Sequence, residues 1–243
     1  IRICLVGSEM CIRDRKALIF TSGMAAISTS IMANVKTGDH IIFQNDLYGG
    51  TRNFIQTEFD KFGIQYSFTK GLDPEDFSAQ IKKNTVGIYV ETPSNPLLKI
   101  VDLKTVSSIA KQNNLWTMID NTFASPVNQN PIDHGIDIVI HSATKYLGGH
   151  SDISAGAVIS TEFKINNILN SAKNLGGNLS DYTVWLLERS MKTLLIRVRE
   201  QTENAKILSK MLDENKNISR VYYPGLENHP SHEIAKAVSY THL

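Results

Sequence analysis

From Lys16 onward the chain alternates short β-branched or aromatic runs with longer stretches whose apolar residues recur at three- and four-residue spacing. The strand-like runs are His40–Gln44, Gln65–Thr69, Val86–Glu91, Trp116–Asp120, Asp137–His141 and Ala155–Ser160. This alternation predicts an α/β fold, a mostly parallel sheet with helices on both faces. Helix starts are legible in two places. Asp73-Pro74-Glu75-Asp76 combines an N-cap, a proline at the first helical position and first-turn acids, and Asp102 caps a helix running to about Gln112. From Tyr182 to about Leu212, Val184, Leu187, Met191, Leu194 and Val198 fall on one stripe, which predicts a single long helix. Val221-Tyr222-Tyr223-Pro224-Gly225 then reads as a strand entering a further subdomain.

The two ends differ from the rest. Residues 1–15 follow neither period, carry both cysteines, Cys4 and Cys11, and resemble translated adapter read-through, and 238–243 resemble the same sort of artefact. Both are read as non-native segments and set aside from the fold. The expected organisation is therefore a large domain over 16–181, then a connecting helix with the start of a truncated C-terminal subdomain over 182–237.

Composition narrows the function classes. The 243 residues are 42% hydrophobic and 20% charged, enough for one large core, and the formal net charge of +1 implies no polyanionic partner. Lys192, Arg197 and Arg199 are interleaved with Glu188, Glu200 and Glu203, so the long helix offers no basic face to nucleic acid. No run approaches the roughly 18 apolar residues of a membrane span. The absence of thiols beyond residue 11 gives no disulfide or thiolate-metal chemistry there and fits a reducing compartment, so a soluble cytoplasmic protein with no metal site is expected. Neither a dinucleotide glycine fingerprint nor a P-loop is present.

The chemistry lies at the ends of the strand-like runs. Lys145 follows the apolar run Ile138–Ile140 and sits in a glycine turn between the hydroxyls of Ser142 and Thr144, the layout of a Schiff-base lysine. Asp120 closes the run Leu115–Ile119. By themselves a lysine in a glycine turn is an ordinary solvated residue and an aspartate at a strand end an ordinary turn residue. Together they place two reactive groups along one edge of a parallel sheet, where α/β ligand sites form. The demands of pyridoxal phosphate are met elsewhere too. Ser22-Gly23-Met24 opens a helix whose free amides suit a phosphate, Tyr48 precedes Gly49-Gly50 and can lie on a flat ring, and Asn95, between Pro93 and Pro96, can donate to a phenolic oxygen. Each of these has a bland alternative: a plain helix start, a packing tyrosine, a proline turn.

The span Asp137-Ile138-Val139-Ile140-His141-Ser142-Ala143-Thr144-Lys145-Tyr146-Leu147-Gly148-Gly149-His150-Ser151 resembles the cofactor-attachment signature of the Cys/Met-metabolism, or trans-sulfuration, pyridoxal-phosphate enzymes. Ser-Gly-Met-Ala-Ala-Ile at 22–27, Tyr-Gly-Gly-Thr at 48–51, Glu-Thr-Pro-Ser-Asn-Pro at 91–96 and Ile-Asp-Asn-Thr at 119–122 resemble that family's other blocks, in order. The resemblance, which runs from about Lys16 to Ala237, implies a fold-type I large domain and pyridoxal 5'-phosphate. It implies Lys145 as the attachment residue and Cα base, Asp120 at the pyridine nitrogen, and Gly23, Met24, Ser142 and Thr144 at the phosphate. Tyr48 is implied in stacking and acid–base work and Asn95 at the phenolic oxygen.

The activity implied is elimination or replacement at Cγ or Cβ of a sulfur-containing amino acid such as cystathionine, a lyase or transferase of the cystathionine γ-lyase or γ-synthase kind. The substrate implied is a small-molecule amino acid, and the assembly a homotetramer built as a dimer of dimers. Gly50 stands where methionine γ-lyases carry cysteine, and His150-Ser151-Asp152 is more similar to the γ-synthase, γ-lyase and β-lyase branches than to sulfhydrylases. A β-lyase, a sulfhydrylase, a fold-type I aminotransferase, or a catalytically defective fragment lacking the family's N-terminal arm and C-terminal carboxylate clamp are the alternatives.

Overall fold

A computed structural model describes residues 15–238; the sequence readings for residues 1–14 and 239–243 lie outside the described residues. Seven strands form one sheet in the order β1-β7-β6-β5-β4-β2-β3. They are β1 (Arg15–Phe20), β2 (His40–Phe43), β3 (Gln65–Phe68), β4 (Thr85–Glu91), β5 (Trp116–Asp120), β6 (Ile138–His141) and β7 (Gly156–Thr161). The pairs from β3 through β6 are parallel, while β7 is antiparallel to both β6 and β1. Two reversals give β1 the same direction as the central strands, so its end meets theirs along one rim.

The helices are α1 (Gly23–Met32), α2 (Gly49–Glu58), α3 (Pro74–Ser78), α4 (Leu103–Gln112), α5 (Ser125–Asn128), α6 (Glu162–Leu175), α7 (Asp181–Met191), α8 (Leu194–Asp213) and α9 (His232–Val238). Alternation along the strands divides them between the two faces. Tyr89, Met118, Ile138 and Ile140 pack with Ala26, Ile27 and Ile31 of α1, Ile55 of α2 and Ile165 and Ile168 of α6. Ile88, Val90, Ile119 and Val139 point the other way and pack with Phe77 of α3, Leu103 and Val106 of α4, Leu187 of α7 and Leu194 and Val198 of α8. Residues on both faces are nearly all fully buried, which explains the continuous apolar runs.

The two helix starts form as the sequence dictates. Asp73 and Asp76 make a reciprocal capping box with Pro74 at the first turn, and Asp102 accepts from the amides of Lys104 and Thr105. Three elements differ from expectation. β1 begins at Arg15, one residue inside the segment set aside, and pairs over its whole length with β7. Its side chains are only half-buried until Phe20, so an edge strand of this kind gives a weak apolar signal. The expected single helix over 182–212 breaks at Lys192-Thr193, where Thr193 leaves helical geometry and its hydroxyl donates to the Ser190 carbonyl, 3.2 Å away. Residues 221–225 form no strand: no neighbouring strand lies beside them among the described residues, and the Arg220 guanidinium sits 4.7 Å from the Tyr222 ring centre instead. Among the described residues no helix is long and apolar enough to cross a membrane.

Candidate active site

The strand ends gather a cavity of about 310 Å³ on the rim, lined by Gly23, Met24, Tyr48, Asn95, Asp120, Ser142, Thr144 and Lys145. All eight residues singled out from the sequence thus share one space. Ser22, Ile27, Glu91, Thr122 and Phe123 complete the lining and were not anticipated as site residues.

One wall is the start of α1. Ser22 takes extended backbone geometry as N-cap, its Oγ accepting the Ala25 amide at 3.0 Å and its carbonyl the Ala26 amide at 3.1 Å. The Gly23 and Met24 amides of the first turn are left for an acceptor from outside the helix, where the dipole favours an anion. Gly23 is required here for space: a Cβ would lie 2.8 Å from the Ser142 Cβ and 2.9 Å from its Oγ. The helix start and the turn after β6 therefore touch.

That turn presents Lys145. The Lys145 amide donates to the Ser142 carbonyl at 3.0 Å, and the Lys145 carbonyl accepts from Gly149 at 2.7 Å, leaving an exposed side chain on a fixed loop. Thr144 lines the cavity, but its hydroxyl is already engaged, donating to the Ala155 carbonyl at 3.1 Å and accepting the Ala155 amide at 3.0 Å. Behind the turn, Arg197 of α8 donates from Nη1 to the Tyr146 carbonyl at 2.9 Å and from Nη2 to the Ser190 carbonyl at 3.0 Å. One guanidinium so joins the helix break to the lysine loop.

The floor is acidic. Asp120 ends β5 and is buried, with its Oδ1 accepting the Thr122 amide at 2.9 Å; the Thr122 hydroxyl in turn accepts the Ser142 amide at 2.7 Å. Burial raises the Asp120 carboxyl above the ordinary range, and the hydrogen bonds from Thr122 pull it back. Glu91 ends β4 and is the register partner of Asp120. Burial first, and the Asp120 charge second, raise it to about 8 against the pull of the Tyr48 and Asn95 amides. Both acids are thus pushed toward their neutral forms, Glu91 as far as the neutral pH range. Glu91 was legible as an acid closing an apolar run, the same signal that marked Asp120. Thr122 and Phe123 carried no comparable mark.

Tyr48 caps α2 by backbone geometry, and its ring is half exposed. The ring lies over residue 50, where an added Cβ would come within 2.6 Å of the Tyr48 Cε1. Asn95 follows the cis Thr92-Pro93 bond, forms the cis Asn95-Pro96 bond and lines the cavity.

The model of the Cys/Met metabolism PLP-dependent enzyme family matches residues 11–242. The chain is 40% identical over 237 residues to a probable cystathionine gamma-synthase of Herpetosiphon aurantiacus, covering 97% of this chain and 73% of that protein. It is 44% identical over 218 residues to a cystathionine beta-lyase of Lactococcus lactis subsp. cremoris, covering 89% of this chain and 57% of the relative. The crystal structure of a cystathionine gamma-lyase from Lactobacillus plantarum complexed with L-serine superposes with a TM-score of 0.89 at 39% identity, over 93% of this chain and 59% of that one. The chain thus spans little more than half the length of the last two. It belongs to the Cys/Met metabolism PLP-dependent enzyme family, whose cofactor is pyridoxal 5'-phosphate.

Proposed function

We propose that the protein of which this chain is part catalyses elimination or replacement at Cγ or Cβ of a sulfur-containing amino acid such as cystathionine. The observation that carries the reading is the convergence of Lys145, Asp120 and the α1 N-terminus on one cavity. The donor set fits the cofactor: a lysine amine on one wall, a buried carboxylate on the floor, free helix amides opposite, and an aromatic ring at the mouth. When bound, pyridoxal 5'-phosphate supplies an electron sink for charge developing at the substrate Cα.

The chain's own residues do the rest. Lys145 would hold the cofactor covalently, and its Nζ would take the proton from the substrate Cα. Asp120, when anionic, would favour a protonated pyridine nitrogen. The Gly23 and Met24 amides and the Ser142 hydroxyl hold the phosphate, with Thr144 fixing the loop beneath through Ala155. Tyr48 stacks on the ring and serves the proton balance at the β- or γ-position, while Asn95 donates to the phenolic oxygen. The same reading carries a homotetrameric assembly, to which the exposed stacked pair Tyr182 and Trp185 on α7 lends support.

The test is cofactor titration followed by borohydride reduction and peptide mass mapping. The expected result is a visible absorbance band, and a reduced adduct on Lys145 that Lys145→Ala abolishes. A parent chain with no band and no adduct, or an adduct at another lysine, overturns the reading. With cystathionine as substrate, pyruvate marks cleavage at Cβ and 2-oxobutyrate cleavage at Cγ; a half-reaction yielding pyridoxamine phosphate instead marks an aminotransferase.

A further inference from the structure

The proposed chemistry gives Glu91 no task, yet it is among the most unfavourably placed groups in the molecule. It is 5% exposed and stands beside Asp120, itself 7% exposed, in a parallel strand pair that turns both carboxylates to the same face. Each is desolvated and each repels the other. The fully buried Tyr89, two residues back on the same face, offers no cation; its own phenol is pushed up by burial and by both acids.

The two oxygens of Glu91 are spent on two different segments. Oε2 accepts the Tyr48 amide at 2.7 Å and Oε1 the Asn95 amide at 3.2 Å. Glu91 does not drift with either loop, because its backbone is held by a side chain: the Glu91 amide donates to Gln44 Oε1 at 2.8 Å, and its carbonyl accepts from Gln44 Nε2 at 2.7 Å. The anchor is therefore the strand, and the loops are what it anchors.

We infer that Glu91 is a positioning residue of this site, its carboxyl group stapling the Tyr48 segment to the Asn95 segment so that ring and amide keep a fixed place beside Asp120. The staple is geometry; only what Tyr48 and Asn95 face rests on the proposed function. Two acceptor oxygens are needed, and a carboxyl group of this length provides both. Glutamine offers one oxygen and turns an NH₂ toward the other backbone donor, and aspartate is a methylene too short to span both. A positive charge brought against Asp120 relieves the repulsion between the acids, so cofactor binding and the staple favour one another.

The test compares the parent chain with Glu91→Gln by amide hydrogen exchange without cofactor and by pyridoxal 5'-phosphate titration. The Tyr48 or Asn95 amide should exchange about ten- to a hundredfold faster, the range for leaving a buried donor unsatisfied, and cofactor affinity should fall by about tenfold. The Val101 amide, which donates to the Thr92 hydroxyl at 3.0 Å, is the internal control and should keep its parent rate. Parent-like protection at both 48 and 95 overturns the inference, as does a uniform acceleration that includes Val101. Should Glu91→Gln lose its folded far-ultraviolet signal, Glu91→Asp replaces it under the same criteria. A parent chain that binds no cofactor removes the proposed function, and the staple is then decided by the exchange rates alone.

Discussion

The stability of the cofactor-free chain should peak near pH 6.5, and Glu91 should be responsible for much of the alkaline loss. Burial holds His40 and His141 neutral in the fold, at about 4 against an ordinary 6.5. Between those values the folded chain binds fewer protons than the unfolded one, so stability is lost as pH falls through that window. Glu91 works in the opposite sense: raised from 4.5 to about 8, it keeps a proton that the unfolded chain releases, and stability is lost as pH rises through that range. Asp120, also raised, works in the same sense from its ordinary 3.8 upward. Above pH 6.5 the histidines are neutral in both states and only the acid limb remains. From 6.5 to about 8, at about 1.4 kcal/mol per pH unit, the Glu91 share is about 2 kcal/mol. With a urea slope of about 2–3 kcal/mol/M for a chain of this size, the midpoint should fall by about 0.7–1 M. Glu91→Gln is neutral at every pH and should keep most of that midpoint between pH 6.5 and 8.5, whatever its absolute stability, while its acid limb should be steeper than the parent's, because Glu91 no longer offsets one histidine between pH 4.5 and 6.5. An equal alkaline loss in parent and variant refutes the assignment.

Gly23→Ala should press α1 away from Ser142 and weaken pyridoxal 5'-phosphate binding by about tenfold or more, read by absorbance titration; unchanged affinity means that the helix start does not hold the phosphate. Arg197→Ala leaves the Tyr146 and Ser190 carbonyls without their charged donor and should cost about 1–3 kcal/mol in urea unfolding, with faster hydrogen exchange in residues 145–149; equal exchange there separates α8 from the lysine loop.

What the sequence made legible, and what it did not, follows from how local each signal is. The central strands are covered on both faces, so their apolar runs stand out, and β5 occupies Trp116–Asp120 as read. Capping chemistry at Asp73 and Asp102 is equally local. The break at Thr193 is not: it is held by Arg197, whose partners lie on two separate segments. β1 escaped notice because its pairing partner lies some 140 residues away and its outer side chains are half-buried. At the site, Lys145 and Asp120 were visible as reactive groups ending apolar runs. The engagement of the Thr144 hydroxyl with Ala155, and the pairing of Glu91 with two distant amides, depend on register and loop geometry that no single stretch of sequence encodes.

The place of β1 in the sheet has a consequence for how the chain comes to be competent. Among the described residues its only ladder partner is β7, so the strand that leads into α1 stays unpaired until residues as late as Thr161 have been synthesised and folded back. A nascent chain with β4, β5 and β6 already aligned would hold Glu91 and Asp120 side by side, with no ring of amides facing them. Closure of the binding cleft is thus a late, high-contact-order event, and vitamin supplied during synthesis has nothing complete to occupy before that last strand is in place.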